Sequence, residues 1–588
     1  MTITNLPTPS QLLGVGNLST WYPGQYDLLQ QSLSWYYSPS RFLGLSIPTG
    51  AGKSLGALLL SKLSGARTII LTATKGLQVQ YQKDSSLIGG VSVVGQNNFS
   101  CVLVSGLTAD EGPCHEGLPC PVREQCPYRV QLRKALDANL VVTNYSYWLA
   151  QTNYSSGLGE FDLAILDEGH QCFSAMENYL TIFLSRIDLQ PMGLDFPVIP
   201  VVLSSPPATT PAVKRRTKTG AVSPPDGYQT TPDSENGAVA GLDGVQDGGQ
   251  DSNQDKQDEW SIWQSWAERC QPVADESIAH VELDMREYRN AGKTVPNHVS
   301  RAYRSAKSVA AKLERLSSVG EDWVIQKTHH GYRFVPKWVA NYGGHLFRDV
   351  PKVVLMSAIL SHRSCDYLGV PSDGSRTWIE MDSHFPPENT QIWHIPTARI
   401  NYLTDDFGST LWVSRIDQII QRRLDRKGIV FTVSYDRARM LLSRSRFKDI
   451  MYAHSTGDVV QVVEKFKQAK PPAVLVSPTV TTGWDFPMDI SGHGIPQYAV
   501  VGKIPYPDTR DVVTHARSDD DKEWTAFLAM ETFVQECGRL SRRPTDLAEI
   551  FVTDDVFKWW YWKHKQFAPK WFQERVRGSL NTVPDPLV

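Results

Sequence analysis

The run Phe42–Ile47, followed by Pro48-Thr49-Gly50-Ala51-Gly52-Lys53-Ser54, constrains this chain more than any other segment. A short apolar strand delivers a loop of small residues, and the helix-compatible run Leu55–Leu63 follows. In such a loop, successive backbone N–H groups curl around a phosphate. The lysine reaches the β/γ oxygens and the hydroxyl takes Mg²⁺. The residues read as holding a nucleotide are therefore Pro48, Thr49, Gly50, Ala51, Gly52, Lys53 and Ser54.

Other short apolar strands ending in small or polar residues fit the same architecture. Thr68–Thr72, Leu140–Thr143, Leu163–Leu166 and Val353–Met356 form a first set with Phe42–Ile47. Gly428–Thr432, Ala473–Val476, Tyr498–Val501 and Glu549–Val552 form a second. With helices between them, they predict two tandem α/β domains of parallel sheet, with active loops at the strands' C-terminal ends. At 588 residues the chain also has room for insertions.

One insertion lies between the fourth and fifth strands of the first set, about 173–344. Its middle, about 204–258, is rich in Pro, Thr, Gly, Gln and Asp and is expected to be disordered. The basic run Lys214-Arg215-Arg216 with Lys218 reads as part of a solvated linker. On its C-terminal side, Trp260, Trp263, Trp266 and Cys270 recur at helical spacing. So do Val299, Ala302, Ala306, Val309, Leu313 and Leu316, after Pro296.

Two further segments carry chemistry. In Leu163-Ala164-Ile165-Leu166-Asp167-Glu168-Gly169-His170, an apolar strand delivers Asp167 toward Mg²⁺ and Glu168 toward an attacking water. In Gln535-Glu536-Cys537-Gly538-Arg539-Leu540-Ser541-Arg542, the two arginines fall one helical turn apart and point one way. Phosphoryl transfer needs such cations against the charge that grows on the γ-phosphate.

Lys+Arg total 59 against Asp+Glu 62, so a nucleic-acid partner would have to meet a local basic groove. No apolar run approaches a membrane span, and the N-terminus lacks the pattern of a signal peptide, so a soluble, intracellular protein is expected. Four of the eight cysteines, Cys101, Cys114, Cys120 and Cys126, cluster in a polar stretch and read as a metal site. His115, beside Cys114, is an alternative ligand should that metal be zinc. Asn144, Tyr145, Tyr147 and Trp148 follow a strand end, where bases could stack, although helix packing would explain them equally. Trp559, Trp560, Trp562 and Trp571 read as core or an interdomain seam.

The order of these motifs resembles that of superfamily 2 helicases. Gln25, in Trp21-Tyr22-Pro23-Gly24-Gln25, looks like the Q motif that reads adenine, and Thr72-Ala73-Thr74-Lys75 looks like motif Ia. Asp167–His170 looks like a DEAH box with Gly169 for Ala, and Ser357-Ala358-Ile359-Leu360 like motif III with Ile359 for Thr. Thr481-Thr482-Gly483-Trp484-Asp485 resembles motif V and Gln535–Arg542 motif VI. The cysteines lie between motif Ia and the DEAH-like box, and the helical insertion lies between that box and motif III. This layout resembles the XPD/DinG-type iron–sulfur helicases. Lys503-Ile504-Pro505-Tyr506-Pro507 adds a likeness to the DinG branch, with no exonuclease expected ahead of the Q motif.

The resemblance implies two tandem RecA-like domains, an iron–sulfur insertion and a helical arch. The implied boundaries are 1–99, 128–172 and 345–371 for helicase domain 1, 100–127 for the cluster, 173–344 for the arch, and 372–588 for domain 2. It implies ATP, Mg²⁺ and a [4Fe–4S] cluster on Cys101, Cys114, Cys120 and Cys126, with Ser54 and Asp167 on Mg²⁺. Catalysis falls to Glu168, Asp167, Lys53, Arg539, Arg542, Gln535 and His170, and Gln25, Gly483 and Asp485 join the ATP contacts. Thr74, Lys75, Asn144, Tyr145, Ser434 and Thr481 would touch DNA.

The expected activity is 5′ to 3′ unwinding by a monomer acting on single-stranded and forked DNA. Replication or repair proteins would be its partners, and it would work in the cytoplasm or at a nucleoid. Two alternatives stay open at this point. One is a nucleotide-dependent DNA-binding switch or remodeller without strand separation; the other is a zinc-containing RNA helicase.

Overall fold

The computed structural model describes residues 6–14, 20–112, 114, 120–154, 157–199, 249–291, 293, 295–480, 486, 496–540 and 545–587. Most of the chain, Met1–Ile182, Asp322–Thr328 and Tyr332–Val588, forms one compact unit that holds two seven-stranded parallel sheets. The first sheet runs Arg376–Glu380, Phe42–Ser46, Lys352–Ser357, Leu163–Asp167, Thr68–Thr72, Leu140–Asn144, Val91–Ser92. The second runs Met451–Ala453, Ala473–Ser477, Lys427–Phe431, Tyr498–Val501, Ala548–Asp554, Thr390–Ala398, Val576–Ser579. All nine strands expected from the sequence are present, and both α/β domains have the parallel architecture expected of them.

The central strands are buried on both faces, which is why they read as unbroken apolar runs. In the second domain one face packs Phe533, Phe557 and Trp560, while the other packs Trp412, Ile416 and Leu441. Burying each such side chain stabilises the fold by roughly 1.5–3 kcal/mol.

The domain boundary expected at 371/372 shifts. Arg376–Glu380 pairs in parallel with Phe42–Ser46 and closes the edge of the first sheet, so the first domain extends past Glu380. That edge strand is short and only partly buried, which hides it from a pattern search.

The two domains meet along the helix Trp524–Cys537. Arg363 binds Asp521 at 2.6 Å and Glu523 at 2.8 Å, and Arg517 pairs with Glu177. Trp338 stacks on Tyr367 with ring centroids 5.2 Å apart, and Trp524 packs edge-on against both. Of the C-terminal tryptophans, Trp560 and Trp571 are core as expected. Trp559 and Trp562 are 61% and 58% exposed, so the core reading fails for them. The helix Val556–His564 is aromatic on all sides and buries only one of its faces.

The second compact unit, Phe183–Glu321 with His329–Gly331, is narrower than the insertion expected at 173–344. It is built on two helices, Gly249–Asn290 and Asn297–Ser317. Trp260, Trp263, Trp266 and Cys270 are buried as the spacing predicts, and Trp266 Nε1 donates to the Asp195 carbonyl at 2.8 Å. Tyr303 takes the buried place expected of Ala302.

The segment expected to be disordered, 204–258, lies for the most part outside the described residues. Its end does not fit that expectation, because residues 249–258 are already helix. Between Gly249 and Pro272 there is no Pro or Gly to stop the helix from extending through that polar stretch.

Candidate active site

Strand order assembles the site. Phe42–Ser46 and Leu163–Asp167 flank Lys352–Ser357, with Ser46 opposite Ser357 and Asp167 opposite Met356. Three segments far apart in sequence therefore end side by side at the C-terminal edge of one sheet.

After the first strand, Gly50 and Gly52 take φ of 80° and 77°, which side chains with a Cβ rarely adopt. The helix Lys53–Ser64 then starts with no side-chain cap, leaving its first N–H groups for an anion. Gln25 is buried behind this loop. Its Oε1 accepts from Tyr22 N–H at 3.3 Å, and its Nε2 faces the Gly52 carbonyl at 3.4 Å. Gln25 thus braces the loop in this conformation and is not open to a base.

Asp167 is 1% exposed, and its Oδ1 accepts from the Glu168 N–H at 2.9 Å. Burial pushes its carboxyl up to about 7, and the Glu168 charge adds to that while Lys53 opposes it. Burial pushes Glu168 upward too, but Lys53, the Ser357 hydroxyl and Arg539 oppose it, and Glu168 is held low. Glu168 therefore stays ionised, and its side chain is 30% exposed, so water can reach it. It sits at φ 54°, a strained setting that aims the side chain away from the strand. Gly169 fills the place of the alanine in the resembled box for a steric reason. A Cβ there would stand 3.2 Å from Leu355 Cβ and 3.3 Å from the Met356 backbone nitrogen.

Burial pushes His170 down to about 4, so it is neutral near pH 7. Its Nδ1 lies 2.7 Å from Ser357 Oγ, and its Nε2 hydrogen bonds to Gln535 Nε2. Because the Gln535 amide donates, the neutral ring accepts at Nε2 and donates from Nδ1. Ser357 Oγ in turn donates to Glu168 Oε2 at 3.2 Å. A continuous hydrogen-bonded relay thus runs from the second domain's Gln535 through His170 and Ser357 to Glu168. The sequence marks Ser357 only as part of a motif; its place between the two groups becomes visible in the sheet register.

Gly538, just past the helix that carries Gln535, lies against the phosphate loop, where a Cβ would meet Thr49 Cγ2 at 3.9 Å. The helix ends at Cys537, so Arg539 sits in the following turn. Arg539 still acts electrostatically on both Glu168 and His170. Arg542, Thr481, Gly483 and Asp485 lie outside the described residues, as does His115.

Beside the relay a cleft of about 420 Å³ is lined by Ala73, Ser146, Ser174, Ser364, Glu531 and other residues of both domains. Burial pushes the Glu531 carboxyl up to about 8, and Ser364 Oγ donates to it at 3.2 Å.

Two residues expected to touch DNA prove to be helix caps after strands. Thr74 accepts from Leu77 N–H at 3.2 Å and Ser434 from Arg437 N–H at 3.3 Å, while Lys75 is exposed. The aromatics after Asn144 are not a stacking surface. Tyr145, Tyr147 and Trp148 are buried, Tyr145 donating to the Asp167 carbonyl at 2.7 Å and Trp148 to the Leu346 carbonyl at 2.8 Å. Asn144 is held by Gln78 and the Tyr147 N–H.

Two of the four clustered cysteines, Cys101 and Cys114, lie beside Gly112. A Cβ on Gly112 would stand 3.1 Å from Cys101 Sγ and 3.8 Å from Cys114 Sγ. Burial raises the Cys114 thiol, and Cys120, Cys101 and Cys126 raise it further. Among the described residues, no three His, Cys, Asp or Glu side chains are grouped closely enough to hold a single metal ion. No helix among them is long and apolar enough to cross a membrane.

Residues 418–575 match the sequence family described as the helicase C-terminal domain. No curated protein matches the chain in sequence. Among solved structures, an XPD helicase superposes with a TM-score of 0.58 at 15% identity, over 95% of this chain and all of the other. S. tokodaii Xpd4 gives 0.54 at 13%, over 95% of this chain and all of its own. An apo XPD structure gives 0.55 at 14%, over 94% and 100%. Residues 418–575 thus match the helicase C-terminal domain family, and the chain as a whole shares the fold of these XPD structures.

Proposed function

We propose that this chain hydrolyses ATP between its two α/β domains and uses the cycle to move 5′ to 3′ along single-stranded DNA, unwinding duplex ahead of it. The observation that carries the reading is the relay from Gln535 to Glu168, which ties the second domain to the group that would activate water. In this reading the loop 48–54 cradles the phosphates, and Lys53 neutralises their charge. Glu168 takes the proton of the attacking water. Arg539 and Arg542 meet the γ-phosphate charge as it grows. Hydrolysis then weakens the domain contact at Gln535, and reopening advances the strand.

Ser54 and Asp167 fit Mg²⁺, since Asp167 is a buried carboxylate beside a second one with Lys53 the cation acting on both. The metal would supply Lewis-acid stabilisation of the charge on the phosphates. We assign Cys101, Cys114, Cys120 and Cys126 to a [4Fe–4S] cluster, a reading supported by the room that side-chain-free Gly112 leaves beside the Cys101 and Cys114 sulfurs. Such a cluster supplies a covalent staple for a small polar subdomain. We assign that subdomain, 100–127, the role of a wedge where the duplex parts. The motor domains then comprise 1–99, 128–182 and 322–381 for the first and 382–588 for the second, with an arch-like insertion between 183 and 321.

The test is ATP hydrolysis with and without single-stranded DNA, beside unwinding of duplexes carrying a 5′ or a 3′ tail. Stimulation by DNA and unwinding from the 5′ tail alone are expected. Hydrolysis without any strand separation would favour a nucleotide-dependent switch and refute the helicase reading.

A further inference from the structure

The helix Val556–His564 carries two large aromatic side chains that the fold does not use. Trp559 and Trp562 are 61% and 58% exposed, whereas Phe557, Trp560, Tyr561 and His564 bury the opposite face in the core of the second domain. Isolated exposed apolar residues are ordinary, but two exposed indoles one helical turn apart on a firmly anchored helix form a rigid platform.

Each of the two rings has a lysine ammonium near it, although Asp555 caps the start of the helix. Lys563 Nζ stands 5.0 Å from the Trp559 ring centroid, and Lys565 Nζ stands 4.8 Å from that of Trp562. Lys558 is exposed on the same helix. Each indole therefore comes with an ammonium beside it, an arrangement that matches a nucleotide: a flat base for the ring and a phosphate for the cation.

Side chains at i and i+3 on a helix lie about 5–6 Å apart at Cβ. On that spacing the helix offers two separate places for bases, one at each indole.

We propose that Trp559 and Trp562, with Lys563 and Lys565, form an accessory binding site for single-stranded nucleic acid, outside the motor's own motifs. The site rests on the reading of the chain as a nucleic-acid motor. Its role is to hold a second stretch of strand while the motor domains open and close.

The experiment measures binding of a fluorescent oligothymidylate to the full chain by anisotropy, for wild type, W559A/W562A, W559F/W562F and K563A/K565A. Stacking of one base on an aromatic corresponds to roughly 5- to 150-fold in affinity, so the alanine pair should bind at least about tenfold more weakly. The phenylalanine pair, which keeps flat rings, should recover most of that loss. The lysine pair should lower the slope of log affinity against log salt by about 1.4, at roughly 0.7 for each phosphate contact on a single strand. ATP hydrolysis without nucleic acid should stay unchanged in all three. Equal affinity of wild type and W559A/W562A, with wild type binding well, overturns this site alone. Failure of wild type to bind at low salt overturns the motor reading as well. If the alanine pair keeps its affinity but sediments as a smaller species than wild type, the face joins two copies of this chain and the proposal falls.

Discussion

Ser357→Ala tests the relay at its middle. The Ser357 hydroxyl is fully buried and does two things at once: it lies 2.7 Å from His170 Nδ1 and donates to Glu168 Oε2 at 3.2 Å. Alanine removes a hydrogen bond to a charged group, worth about 1.5–3 kcal/mol, and leaves the buried His170 N–H without its acceptor. If Glu168 activates the water, that energy is lost where the proton is taken, and kcat for ATP should fall about 10- to 150-fold. KM should change little, since the phosphate loop is untouched. The pH profile carries a second signature. Ser357 is among the groups that hold Glu168 low, so without it the carboxyl rises. The acid limb of the rate profile should therefore move to higher pH. Stopped assays of DNA-stimulated hydrolysis across pH 5 to 9 read both effects. A variant with wild-type kcat and an unmoved acid limb would refute the relay as a working part of the site.

Glu168→Gln should keep ATP binding and lose turnover, because an amide cannot take the water's proton; nucleotide binding by calorimetry beside an ATPase assay checks both halves. Arg539→Ala should slow hydrolysis by roughly 10³–10⁵ with far less change in ATP affinity, the pattern of a cation that acts mainly in the transition state. Glu531→Gln should stabilise the protein as pH rises. The Glu531 carboxyl is raised from 4.5 to about 8, so the wild type loses stability between those values while glutamine does not. With the cleft side screened by water, the gain at pH 8 should be about 2 kcal/mol, shrinking to nothing near pH 4.5; melting temperatures of the two proteins at both pH values decide it. Cys114→Ser should cost iron and colour in protein purified without air, and zinc with no iron or sulfide in the wild type would refute the cluster.

What the sequence revealed and what it hid follow from chain distance and from faces. The phosphate loop and the Asp167–His170 segment were legible because each is a local unit. A strand, a turn and the residues that carry the chemistry lie within a dozen positions, and their order dictates their geometry. The relay was not legible, because Ser357 stands 187 positions from His170 and Gln535 stands 365 from it. Only strand order brings the first pair together, and only domain docking brings the second. The edge strands Arg376–Glu380 and Met451–Ala453 were missed because they are short and half-buried, so they show neither an apolar run nor a clean alternation.

Aromatic-rich helices failed in both directions for one reason. Composition reports how many rings a helix carries, not which of them face a neighbour. After Asn144 every ring that could have met a base is turned inward, with Tyr145 and Trp148 donating to backbone carbonyls. In Val556–His564 the rings outnumber the positions that one buried face can hold, so Trp559 and Trp562 are left outside. A helix of nine residues packed on one side buries only about half of its positions. Three aromatics and a histidine in the core already fill that share, and any further tryptophan must meet solvent or a ligand. Surplus rings beside lysines are thus the one sequence signal that could have marked this face, and they mark it through the count that packing cannot absorb.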